Sequence, residues 1–173
     1  MNILDKIDSD ETILCNDGVS TFTCNYKNLI KEIIENTEET TDGYRNSSES
    51  LVVNGLKCRI KFNGLTGQYN GYVVDDIVKN INENDIDYSP HGGFTAGWGF
   101  DCLHHTDISL NPMMNMSSFD PEILKLPFSI KGQKGMFKDS NASFKTKKFV
   151  INELNKLTKS IIKYQSHKSQ NVS

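Results

Sequence analysis

The chain has one tryptophan, four prolines and four cysteines in 173 residues, and none of its cysteines stands in a C-x-x-C pair. Cys15, Cys24, Cys58 and Cys102 are widely spaced, which fits free thiols in a reducing compartment better than a disulfide framework or a zinc ribbon. No apolar run approaches the roughly 18 residues that cross a bilayer. The opening M-N-I-L-D-K-I-D-S-D-E-T is acidic where a signal peptide needs a positive region and then an apolar stretch. These absences point to a soluble, cytoplasmic protein with no membrane partner. Nor is there an excess of positive charge: the formal net charge is −3 and the pI about 5.8. A broad nucleic-acid footprint is therefore not expected. The late basic residues Lys145, Lys147, Lys148, Lys156, Lys159, Lys163 and Lys168 read as the solvated face of a helix. H-E-x-x-H and the P-loop are missing, and G-F-T-A-G-W-G does not reproduce G-x-G-x-x-G in spacing or context.

What is present reads as one α+β unit, a mostly antiparallel sheet packed by a C-terminal helix, with a helical N-terminal extension. Residues 1–24 show no firm periodicity. Tyr26, Leu29, Ile30, Ile33 and Ile34 follow helical spacing, so a helix is expected near 25–37 with Thr23 or Asn25 as its cap. The polar stretch 37–50 reads as a linker, which closes an extension over 1–50 and leaves a core domain over 51–164. Strands are expected at 51–53, at 57–62, where Cys58, Ile60 and Phe62 alternate with basic residues, and at 69–74. Ile77, Val78 and Ile81 suggest a short helix. Residues 88–95 and 98–103 read as two more strands, and 128–137 as another short one. Val150, Leu154, Leu157, Ile161 and Tyr164 form an apolar stripe, so a helix over about 147–164 docks on the sheet behind a Thr146 cap. The tail 165–173 is expected to be disordered.

The densest chemistry lies between Tyr88 and Asp107, which holds three of the four histidines, four of the twelve glycines and the only tryptophan. If 88–95 and 98–103 pair as a hairpin, an even loop around Ala96-Gly97 sets His91 opposite Cys102 and Gly93 opposite Phe100. A three-residue loop sets His91 opposite Asp101 instead. Gly92 and Gly93 remove side-chain bulk so that a ligand or another backbone can come close. Three chemistries are open. His91 and His104 with Asp101 or Asp107 can hold a divalent metal. Cys102 can act as a nucleophile with His91 or His104 as its base. Or these groups can bind a polar ligand, or one another, without chemistry. Thr95, Trp98 and Asp107 complete the candidate ligand contacts.

In these residues the sequence resembles a family of small proteins without an assigned activity, found in bacteriophages, prophages and bacteria. The family pattern has a strand with a cysteine, a G-Y-V strand, a loop rich in Tyr and Asp, V-H-G-G-L-T-Y, a variable turn, W-W-x-G-F-D-C-A-H-A-G-D, and a C-terminal helix. The matching pieces here are Cys58, Gly71-Tyr72-Val73, Asp85–Tyr88, His91-Gly92-Gly93-Phe94-Thr95, Trp98-Gly99-Phe100-Asp101-Cys102, His104, Asp107 and the 147–164 helix. Leu103, His105 and Thr106 stand where the family has Ala, Ala and Gly. The resemblance covers roughly residues 56–164 and implies a phage-, prophage- or large-virus-borne gene. It implies no particular activity, which must come from the site itself. The residues lead to a small-molecule pocket, hydrolytic on a polar or phosphorylated substrate. The alternatives are a protein that sequesters a nucleotide or metabolite, and a structural or host-interaction component.

Overall fold

The computed structural model describes residues 3–41, 44–95, 97–104, 106–110 and 142–171. Ala96, His105 and residues 111–141, with the strand expected within 128–137, lie outside them. The architecture is α+β, with mostly antiparallel sheets and a long C-terminal helix. Among the described residues no helix is long and apolar enough to cross a membrane.

The N-terminal fifty residues are richer in strand than their sequence suggests. After a short 3-10 turn, β1 (Thr12–Asn16) and β2 (Thr21–Asn25) form a hairpin with Ile13 opposite Cys24 and Cys15 opposite Phe22. Asp17-Gly18 makes the bend: Gly18 takes φ +88, and Asp17 Oδ1 accepts the amides of Val19 and Ser20. Cys15 and Cys24 are joined as a disulfide, which corrects the expectation of four free thiols; Cys58 and Cys102 are free. Helix α1 (Tyr26–Glu35) follows, capped by Asn25, whose side chain accepts the Asn28 amide. Its buried Tyr26, Ile30 and Ile33 pack with Ile13 and Phe144 in a first core.

The expected linker over 37–50 is largely sheet. It holds β3 (Glu38–Glu39) and the start of β4 (Arg45–Val53), so a boundary at residue 50 falls inside a strand. β4 turns into β5 (Leu56–Asn63) through Asn54-Gly55, both with positive φ, the pair a tight two-residue hairpin favours. β6 (Gln68–Val73) pairs with β5, and β7 (Gly99–Asp101) pairs with β6, giving the order β3-β4-β5-β6-β7. Alternation in β5 sends Cys58, Ile60 and Phe62 inward, as expected from the sequence. Ile77 and Val78 fall in a 3-10 turn (Asp76–Asn80), with Ile81 as its C-terminal cap.

Residues 88–95 are not a strand. Gly92 and Gly93 take φ +68 and +84, which bend the chain out of extended geometry, and β7 takes β6 as its partner. The chain then returns through β8 (Phe144–Lys145), parallel to β1, into helix α2 (Lys147–Gln170). Thr146 caps it by accepting the Phe149 amide. Val150, Leu154, Leu157 and Ile161 are fully buried against Ile60, Val73 and Phe100 in a second core. Gly71 makes that packing close: a Cβ there would lie 2.6 Å from Phe100 and 2.8 Å from Val150. The helix continues to Gln170, so the expected disordered tail is helical over 165–170.

Candidate functional site

The site forms where β7 ends, where the chain bends at Pro90–Gly93, and where β8 leads into α2. Its centre is Asp107, which is 1% exposed. A carboxylate this buried requires partners on each oxygen. Oδ1 receives Lys145 Nζ at 2.9 Å and His91 Nε2 at 3.0 Å. Oδ2 receives His91 Nε2 at 2.8 Å, the His104 backbone amide at 3.0 Å and His104 Nδ1 at 3.1 Å. Burial alone would raise the Asp107 pKa. The hydrogen bonds and charges of His91 and Lys145 outweigh it and hold the carboxyl down at about 2.

Lys145 did not stand out in the sequence as a site residue, and it corrects the reading of the late lysines as one solvated face. Its ammonium is buried, and besides Asp107 it donates to Ser143 Oγ at 2.8 Å and to the carbonyl of Thr106 at 3.1 Å. The sequence signal is slight: Lys145 stands between Phe144 and the Thr146 cap, just ahead of the apolar stripe of the C-terminal helix.

Both imidazoles present a proton to the same carboxylate, His91 through Nε2 and His104 through Nδ1. That contact sets their tautomers and leaves His91 Nδ1 and His104 Nε2 free of Asp107. The rings stand edge to face with centroids 5.1 Å apart, and His91 rests edge-on against Phe149. Their side chains are 18% and 26% exposed, so solvent reaches both. Asp101, at the end of β7, brings Oδ1 to 3.6 Å from His104 Nε2 and accepts the Leu103 amide. Gly92 lies under His104: a Cβ there would fall 2.0 Å from ring atoms Cε1 and Nε2.

The structure thus brings together His91, Asp101, His104 and Asp107, with Gly92 as floor. Neither expected hairpin register occurs, and the group that meets His91 is Asp107, sixteen residues away. Cys102 turns into the second core, where burial and then the Asp107 charge push its thiol well above its ordinary pKa. Both effects oppose the thiolate that nucleophilic attack requires. Gly93 has open space at its Cβ position and donates its amide to Pro90. Exposed Thr95 donates its amide to Gly99, and the Trp98 ring packs against Phe94 at 5.4 Å. These two close the loop before β7.

One ligand atom from each of His91, His104 and Asp107 lies within 4.8 Å of the others, close enough to converge on one cation. The Lys145 ammonium already sits against Asp107 and supplies the positive charge that an ion would bring. The donor set therefore suits proton transfer better than metal coordination. Comparison with known protein families, with curated proteins and with solved structures finds no match.

Proposed function

We propose that His91 and His104, oriented by Asp107, form a general acid–base centre that hydrolyses a small polar, phosphorylated molecule. The observation that carries this reading is the pair of solvent-reachable imidazoles on one buried carboxylate. One ring, neutral, takes a proton from water on its free nitrogen as the oxygen attacks, and the other, as the doubly protonated imidazolium, delivers the proton on its free nitrogen to the leaving oxygen. Asp107 orients both rings and stabilises the one that is doubly protonated, and Lys145 lies against the same carboxylate. Asp101, beside His104 Nε2, stands at the rim where substrate enters.

The ordered motif His91-Gly92-Gly93 … Gly99-Phe100-Asp101-Cys102-x-His104-x-x-Asp107 supports placing the chain with the phage- and virus-borne proteins it resembles. A second reading makes the same groups ligand contacts without turnover. It is favoured by the saturation of Asp107, which gives a rigid, preorganised site. Incubation with a panel of nucleotides and phosphate esters, followed by denaturation and recovery, separates the two. Altered ligand with wild type and intact ligand with His91→Ala and His104→Ala supports catalysis. Ligand recovered unchanged from wild type establishes sequestration. Equal turnover in wild type and both variants refutes the acid–base assignment.

A further inference from the structure

The face of the large sheet turned away from α2 carries a separate group of polar side chains. Because β5 sends Cys58, Ile60 and Phe62 inward, Arg59 and Lys61 project from the other side. The register sets Arg59 beside Tyr72, and Lys61 beside Asn70 on β6 and Ser48 on β4. These residues line a cleft of about 830 Å³ that Glu38, Glu39 and Thr40 border. That volume is in the range of small-molecule sites.

We propose that this cleft binds a nucleoside phosphate, independently of the acid–base centre. Among the described residues neither cation has an acid partner, and Arg59 Nε is buried with no hydrogen-bond acceptor. A half-buried guanidinium whose Nε is shielded from water and which lacks a carboxylate is suited to a bidentate oxyanion. Lys61 Nζ lies 5.4 Å from the centroid of the Tyr72 ring, so the second cation and an aromatic face share one wall. The phenol is held in a hydrogen-bonded row: Gln68 donates to Asn70, and Asn70 donates to the Tyr72 hydroxyl. A planar base has a ring to stack on, with the Ser48 hydroxyl within the same cleft. Glu38 and Glu39 give the ligand a direction, since they accept from ribose hydroxyls or an exocyclic amine and repel phosphate. The phosphate therefore goes to Arg59 and Lys61.

Titration calorimetry on the full chain with adenosine 5′-monophosphate, adenosine, inorganic phosphate and an eight-nucleotide single strand tests the assignment. The monophosphate is expected to bind at least about tenfold more tightly than adenosine or phosphate alone, the size of one charge-assisted contact. Arg59→Gln and Lys61→Gln should each weaken it by about tenfold with thermal midpoints unchanged, and His91→Ala should leave the affinity as it is. Absence of monophosphate binding at millimolar concentration overturns the proposal, as does equal affinity in both cleft variants. Loss in His91→Ala alone places the ligand in the other site. Tighter binding of the oligonucleotide makes the face a nucleic-acid surface and overturns the small-ligand assignment.

Discussion

Asp107 shows how one side chain organises a site from distant segments. Its oxygens gather His91 from the Pro90 bend, His104 from the loop after β7, and Lys145 from β8. Because its pKa is about 2 in the fold against an ordinary 3.8, ionised Asp107 adds stability, and the sign follows from linkage. The contribution is fully present above pH of about 4 and disappears as pH falls towards about 2, and the shift corresponds to about 2 kcal/mol. Urea midpoints measured from pH 7 down to 2 should therefore fall most steeply below pH of about 4. Asp107→Asn should be less stable at pH 7, by about 3 kcal/mol or more, since it leaves a buried ammonium without its counter-charge. It should also lose part of the acid slope. Parallel pH profiles for wild type and variant would show that Asp107 is not the titrating group.

Among the elements, the legible ones were those whose signal is local. The α2 stripe from Val150 to Ile161 and the alternation around Cys58, Ile60 and Phe62 follow directly from periodicities of 3.6 and 2. The first hairpin has a weaker local signal, Asp17-Gly18 between T-I-L-C-N and T-F-T-C-N, with no firm alternation in the flanking residues. The cysteine pair on it depends on the register that brings the two strands together, which spacing along the chain does not supply. Within the site, residues 91, 101, 104 and 107 were legible as a cluster, but the way they meet was not. Strand pairing is non-local, and two consecutive glycines at positive φ make the 90–93 segment a bend, not a strand. Those two glycines differ in what surrounds them, which gives a test. Gly92→Ala must strain φ +68 and displace the His104 ring, whereas Gly93→Ala at φ +84 meets open space. Backbone strain alone costs about 1 kcal/mol or more at each. Gly92→Ala should therefore be the more destabilising by at least about 1 kcal/mol in urea denaturation and should shift the His104 ring resonances. Equal losses would mean that His104 is free to move away from the bend.

At the scale of the whole molecule, residues 142–171 tie the two sheets together. β8 extends the β1–β2 sheet, and α2, immediately after it, covers the five-stranded one. Phe144 lies in the first core and Phe149 in the second, five residues apart on one continuous segment. Tyr69 packs against both cores, and its ring meets Phe62 at 5.0 Å and Phe144 at 6.1 Å. Lys145 sits on this bridge, so the candidate site depends on both cores keeping their positions. Such continuity predicts a single cooperative transition, with no separately stable N-terminal unit. Ile30, fully buried in the first core, tests this, because Trp98 packs at the edge of the second and is the chain's single tryptophan. Ile30→Ala should cost about 2–5 kcal/mol. The midpoint should fall by the same amount whether unfolding is followed by Trp98 fluorescence or by helical circular dichroism. A Trp98 midpoint that stays at the wild-type value while the dichroism midpoint falls would show that the cores unfold independently, and that the site's geometry does not depend on the first fifty residues.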